Sequence, residues 1–339
     1  MSARVALILV ILLAMLGGGA LLYQQQERAR RPDNAASLGQ VLLKDLQAAD
    51  IAAIRIVEPS VSPNATLTLQ RAESGWVIAE RGNFPADLDK VREFALKLIG
   101  LKIGQSEPIG EKDRARLNLD ASGTQVEVNG ADGKPLGRLT VGKKYFKREV
   151  ENAETAPADG RFTALPGEAK QVYVVSDPLT QASTRSADWI DRTSFKVEKV
   201  KGLEVRYPDG AGWRIERAGD NAGWKLAGLK PGEQLDIARA NAASYSLSLL
   251  ELADVAPQDA AGTGLDKPAL ISATTLDGGA YAIKVGRLQG DNYYVSFRSA
   301  KPKDKEALLA QHVLLIPKSK LEDTLKKRAE LLEKKAGKK

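Results

Sequence analysis

Residues 66–78 read TLTLQRAESGWVI, and residues 213–226 read WRIERAGDNAGWKL. Each stretch is two short alternating runs around a polar turn, the pattern of a β-hairpin. Trp76 and Trp224 open the returning strand in each, within GWVI at 75–78 and GWKL at 223–226. Tryptophan is scarce here, four in 339 residues. Its return in the same phrase asks whether a whole domain is repeated.

The neighbouring sequence answers that it is. IAAIRIVEP (51–59) lies beside VKGLEVRYP (200–208), both alternating and both ending at proline, as a strand ends at a turn. Helical periodicity follows in each copy. In DLDKVREFALKLIGLKI (87–103), Leu88, Val91, Phe94, Ala95, Leu98 and Ile99 form one apolar stripe. In DIARANAASYSLSLLEL (236–252), Asp236, Ile237, Ala240, Ala243, Leu247 and Leu250 take the matching places. Asp87 is placed to cap the first helix. LNLD (117–120) then faces GLDKP (264–268), and EVNGADGKPLGRLTVG (127–142) faces ATTLDGGAYAIKVG (273–286). Asp-Gly at 132–133 and 277–278 marks a turn between strands. VYVVSDPL (172–179) faces VLLIPKSKL (313–321). The offset between copies drifts only from 149 to 141 residues.

Each unit reads as strand, hairpin, helix, further strands and a short terminal helix. One helix cannot cover both faces of such a sheet, so the expected class is α+β with the helix segregated to one face. The whole is expected as an N-terminal transmembrane helix followed by two tandem, internally repeated sheet-plus-helix domains. Its parts are a transmembrane anchor at 1–23, a juxtamembrane stalk at 24–44, a first α+β repeat domain at 45–181, a linker at 182–194, a second α+β repeat domain at 195–319, and a basic amphipathic C-terminal helix and tail at 320–339. Trp189 and Ile190 read equally as cement between domains or as a surface turn.

The anchor rests on VALILVILLAMLGGGALL at 5–22, which no charge interrupts. As a helix it would span about 27 Å, close to a bilayer core. A cleaved signal peptide is the other reading, since Gly18 and Ala20 give a small-x-small ending. Arg28, Arg30 and Arg31 after the run do not orient it cleanly. The chain carries a formal net charge of +7, and its last 22 residues supply +5 of that. A nearly neutral body argues against a nucleic-acid binder. Cysteine is absent, which excludes disulfides, thiol catalysis and cysteine-ligated metal.

The order of these features resembles the bacterial family catalogued as domain of unknown function 4340. The residues that carry the resemblance are the hydrophobic N-terminus, the two GW hairpins, FPADLDKV at 84–91, GLDKP at 264–268, TVG and KVG at 140–142 and 284–286, and DWIDRTSF at 188–195. They place it over about 45–320. The first copy departs, with LNLDASG where the second has GLDKP. The resemblance implies membrane-anchored proteins similar to accessories of ABC-type export and gliding-motility systems, and it implies no catalytic residue.

The search for chemistry is short. The single histidine, His312, cannot assemble a zinc site or a triad alone. No phosphate-binding G-x-x-x-x-G-K-[ST] occurs. Asp87 and Asp89 belong to a helix start, where acids are favourable anyway. Glu149, Glu151 and Glu154 lie in a polar loop with no spacing for calcium or for a carboxylate pair. GGG (17–19) and GTG (262–264) lack a nucleotide-binding context. No catalytic, cofactor-binding or metal residue is assigned, and no cofactor is expected. The loop at 143–162, which the second copy shortens to RLQGD, stands as a partner contact or as a tolerated extension.

The expected function is therefore a non-enzymatic, membrane-anchored accessory or scaffold subunit of an ABC-type export complex. It would sit in the inner membrane as a single-pass protein, with its bulk periplasmic. The expected partner is a multi-span ABC-type permease, with anionic lipid as a second contact and no nucleic acid. An extracytoplasmic hydrolase with a weakly marked carboxylate site, acting on polysaccharide, is the alternative.

Overall fold

The computed structural model describes residues 37–192 and 196–333. Within them the chain forms two compact units, 37–66 with 92–184, and 67–91 with 185–192 and 196–333.

In chain order the first copy holds β1 (Ala53–Val57), β2 (Thr66–Ala72), β3 (Gly75–Ile78), β4 (Phe84–Pro85), α1 (Leu88–Ile99), β5 (Ile103–Pro108), α2 (Glu111–Arg116), β6 (Thr124–Asn129), β7 (Pro135–Tyr145), β8 (Gly160–Ala164) and β9 (Gln171–Val175). The second holds β10 (Val200–Arg206), β11 (Gly212–Glu216), β12 (Lys225–Leu226), α3 (Ile237–Tyr245), β13 (Asp254–Val255), β14 (Ala269–Thr275), β15 (Ala280–Gln289), β16 (Asn292–Ser299), α4 (Asp304–Leu309), β17 (Leu314–Pro317) and α5 (Lys318–Leu321). The class is α+β, with two sheets. Their strand orders are β4-β3-β2-β1-β6-β7-β8-β9-β5 and β12-β11-β10-β14-β15-β16-β17-β13. Once β4 is set aside, the two orders trace the same path.

Registers match residue by residue. Leu69 faces Ile78 and Arg71 faces Trp76, while Ile215 faces Leu226. Two positions further along, Arg217 and Trp224 take the places of Arg71 and Trp76. Alternation fixes the faces, because a slip of one residue would turn every apolar side chain to water. Ile54 and Ile56, like Leu203 and Val205, are buried. The glycines of TVG and KVG have one cause. A Cβ on Gly142 would collide with the Leu117 carbonyl, and one on Gly286 with the Thr263 carbonyl. Those carbonyls accept hydrogen bonds from the N–H groups of Lys143 (2.9 Å) and Arg287 (2.7 Å). LNLD and GLDKP belong to the segments that press there.

The helices start as their caps require. The Asp87 carboxylate accepts from the N–H groups of Asp89 and Lys90, and that of Asp236 from Arg239. Val91, Phe94, Ala95 and Leu98 are buried on α1, and Ala240 and Ala243 on α3. The stripes are narrower than their periodicity predicts, for Leu88 is 49% exposed and Ile237 46%. The second predicted helix also breaks early, passing into a 3₁₀ turn at Ser246–Leu249.

The stretch read as a linker is instead a closing element of the fold. Ser186–Asp188 form a 3₁₀ turn, and Trp189 and Ile190 are buried, which excludes a surface turn. The Asp87 N–H donates to Trp189 O (2.7 Å) and the Asp191 N–H to Pro85 O (3.0 Å). In the second copy the Asp236 N–H donates to Leu331 O (2.9 Å) and the Glu333 N–H to Gln234 O (2.9 Å). Residues 186–191 and 328–333 are thus the same part.

The C-terminal segment differs from the single amphipathic helix expected over 320–339. Among its described residues, α5 gives way to turns at 322–325 and a 3₁₀ turn at Arg328–Leu331. Tyr207 Oη donates to the carbonyls of Leu325 and Lys326, and Trp213 Nε1 donates to Lys326 O (2.7 Å). These side chains satisfy carbonyls that a continuing helix would have bonded itself.

The membrane reading is corrected. Among the described residues no helix is long and apolar enough to cross a membrane. The longest α-helix among the described residues, α1, has 12 residues and would reach only about 18 Å against a hydrocarbon core of about 30 Å. Five of its 12 residues are charged. The run at 5–22 on which the anchor rested lies outside the described residues, as do residues 24–36 of the proposed stalk. The transmembrane helix, the single-pass inner-membrane and periplasmic placement, and the membrane-anchored role in an ABC-type export complex are not carried forward.

Candidate functional site

Each sheet buries one face under its helix. The other face of the second sheet carries a distinctive surface. Cross-strand partners there fall into rows. One row runs Lys225–Glu216–Gly202–Thr274–Ala280. The next runs Arg214–Glu204–Ser272–Ala282–Arg298. The third runs Arg206–Leu270–Lys284–Ser296. Adjacent strands lie about 4.8 Å apart, so Arg214 and Arg298 stand about 19 Å apart across five strands.

The centre of this face is small, with Gly202, Ser272, Thr274, Ala280 and Ala282. Cations form its rim. Lys201, Lys225, Lys284 and Arg298 are exposed and hold no ion pair among the described residues. Arg206 pairs with Glu204 (2.6 Å) and Arg214 with Glu216 (3.2 Å), each between residues of one strand. Water and salt screen such exposed pairs, so they exchange readily for an incoming carboxylate. At one end the face dips into an open groove of about 840 Å³ between the β11–β12 hairpin and the β14–β15 turn. Gly202, Gly223, Gly278 and Gly279 line it, with cations from Lys201, Arg214 and Lys225.

The hairpin wall is rigidly built. The Arg217 guanidinium lies 4.8 Å from the Trp224 ring centroid, donates to Val200 O (2.7 Å) and pairs with Asp220 (3.0 Å). Trp224 Nε1 donates to Asn241 Oδ1 (2.8 Å). The first copy repeats the stack more loosely, with Arg71 5.7 Å from Trp76. Arg-Ala before the turn and Gly-Trp after it are therefore one device, an arginine lid over a cross-strand tryptophan. That signal was readable in RAESGW and RAGDNAGW.

Elsewhere in the second unit, Ser186 Oγ donates to Asp254 Oδ2 (2.6 Å), and Arg81 Nε lies 3.5 Å from Asp254 Oδ1. Ser186 is 1% exposed and its hydroxyl is committed to a carboxylate rather than to a histidine, so this cluster is a polar lock and not a nucleophile. His312 packs edge-on to Phe84 at 5.2 Å between centroids, and burial pushes its imidazole below the usual value. In the first unit, an open cavity of about 800 Å³ is walled by Arg114. Its guanidinium already donates to the carbonyls of Leu119, Glu168, Ala169 and Gln171.

Glu149, Glu151 and Glu154 are exposed along their loop. Gly262 and Gly264 lie in the segment packed over β15, both with positive φ. Among the described residues no group of three His, Asp or Glu side chains could hold a metal ion. Sequence reasoning missed the basic face because its members are spread over five strands, and no linear run of charge marks them.

The fold and this face define a class: a tandem pair of α+β sheet domains, the second with an open, cationic face. The chain belongs to the family described as Domain of unknown function (DUF4340), which matches residues 76–268. That match is shorter than the 45–320 over which the resemblance was read. No curated protein and no solved structure matches the chain.

Proposed function

We propose that this protein is a non-catalytic binding module, and that the open face of its second sheet receives an acidic protein partner. The observation that carries the reading is the cationic rim of Lys201, Lys225, Lys284 and Arg298 around a floor of glycine, serine, threonine and alanine. A flat floor admits close approach of another backbone, and unpaired cations steer and orient an anionic surface. The face carries no aromatic side chain in these rows, so it offers no stacking platform for single-stranded nucleic acid. The commitment of Ser186 to Asp254 and the apolar seat of His312 support the non-catalytic part.

Fluorescence anisotropy with a labelled glutamate dodecapeptide tests it. The full chain should bind the peptide with an affinity that falls as salt rises, and a lysine dodecapeptide should not bind. Arg214→Glu with Arg298→Glu should weaken binding about tenfold or more while leaving the far-ultraviolet circular dichroism unchanged. Indifference of binding to that double reversal would remove the reading.

A further inference from the structure

One row of the face has a finer pattern. Leu270 is 39% exposed at the centre of the sheet, a position where water-facing neighbours are Ser272 and Thr274 on its own strand. Its cross-strand partners on either side are Arg206 and Lys284. Leucine flanked by two cations, each about 4.8 Å away at the backbone, makes a three-part receptor. The equivalent row of the first sheet is Val57–Gln125–Thr140, without charge and with glutamine in place of the leucine. The pattern therefore belongs to the second copy's surface and not to the demands of the shared fold.

Resting on the binding function above, we infer that the partner segment is amphipathic, with one large apolar side chain seated on Leu270 and carboxylates on both sides reaching Arg206 and Lys284. In an extended segment, residues i and i+2 share a face about 6.8 Å apart. The recognised pattern is then acid-x-apolar-x-acid. The long arginine and lysine side chains span the small mismatch between that spacing and the strand separation, and their aliphatic stems cover the seated apolar group. The apolar contact supplies selectivity, because charge alone would accept any acidic chain.

The test uses three labelled dodecapeptides on the full chain, centred on Glu-Thr-Leu-Thr-Glu, Glu-Thr-Ser-Thr-Glu and Lys-Thr-Leu-Thr-Lys. The leucine peptide should bind about tenfold more tightly than the serine peptide, the effect of burying one leucine-sized contact. Leu270→Ser, a surface change that leaves the fold intact, should erase that difference while keeping salt-sensitive binding of both acidic peptides. Lys284→Glu should weaken both, and the lysine peptide should not bind. Equal affinity of the leucine and serine peptides for the unaltered chain would overturn this inference while leaving the acidic-partner reading standing. Failure of both acidic peptides to bind would overturn the reading itself.

Discussion

The two sheets share a strand order and a register, and they differ in what they show to water. The row Arg55–Glu127–Arg138 of the first sheet corresponds to Glu204–Ser272–Ala282 of the second. In the first, charge sits in the middle of the face and is used internally, with Arg138 2.9 Å from Glu127. Arg114, residues 165–167 and Ala169 line a cavity over the same strands. In the second, serine and alanine stand beside Glu204, and the cations of that row lie further out, at Arg214 and Arg298. Buried positions are held by the fold, since they must fill the same space against the same helix. Open-face positions carry no such demand, so they are where one copy can acquire a task that the other lacks.

The hairpin tryptophans give the largest test of this contrast. Trp224 is buried and its indole is hydrogen-bonded to Asn241, whereas Trp76 is half-buried. Trp224→Ala should cost about 3–5 kcal/mol in denaturant unfolding. Trp76→Ala should cost roughly half of that or less, by the smaller area it buries. Equal losses would show that the two hairpins are packed alike.

The strand-end glycines should respond together. Gly142→Ala and Gly286→Ala each drive a methyl group into a backbone carbonyl, and each should lower stability by about 1–3 kcal/mol. A loss at only one site would mean that the two crossing segments are not equivalent, which would break the repeat at its most specific motif.

Surface charge reversal should separate the copies where the glycines unite them. Arg206→Glu should weaken binding of the acidic leucine peptide about tenfold, and Arg55→Glu should leave it unchanged, with the denaturation midpoint barely moved in either. Matching effects of the two reversals would assign binding to net charge rather than to the second face.

The smallest expected effect concerns the closing segment of the second copy. In the second copy, Arg328 grips Glu233 with hydrogen bonds of 2.7 and 3.2 Å. The Arg328 hydrogen bond, helped by the Lys230 N–H, holds the Glu233 carboxyl down at about 2, against an ordinary 4.5. A depressed carboxyl stabilises the fold at pH above about 4.5 and loses that contribution as pH falls through about 2. Glu233→Gln should therefore flatten the loss of stability between pH 4.5 and 2, measured by thermal melting across that range. The first copy's closing segment relies on the burial of Trp189, so Trp189→Ala should lower stability at all pH values alike.

Much of this was open to reading in the linear sequence. Alternation in IRIV and LEVR placed Ile54, Ile56, Leu203 and Val205 inward, because period two admits only one register with a dry face. Asp87 and Asp236 announced the helix starts, and Asp-Gly announced the turns at Gly133 and Gly278, both in the left-handed region. The family was legible from short structural phrases. The basic face was not, since Arg206, Arg214, Lys284 and Arg298 lie on four strands and become neighbours only through pairing.

What the sequence by itself determined is local: which residues alternate, where helices begin, where glycine must stand, and that one pattern occurs twice. Only the tertiary structure decided that β5 and β13, each emerging from the helix region, travel to the far edge to pair with β9 and β17. It alone turned the supposed linker into a closing element, and it alone gathered the rim of cations around Leu270. The reason is physical. A periodicity reports which side of an element faces the core, whereas partners far apart in sequence are chosen by the closure of long loops and by the packing that results.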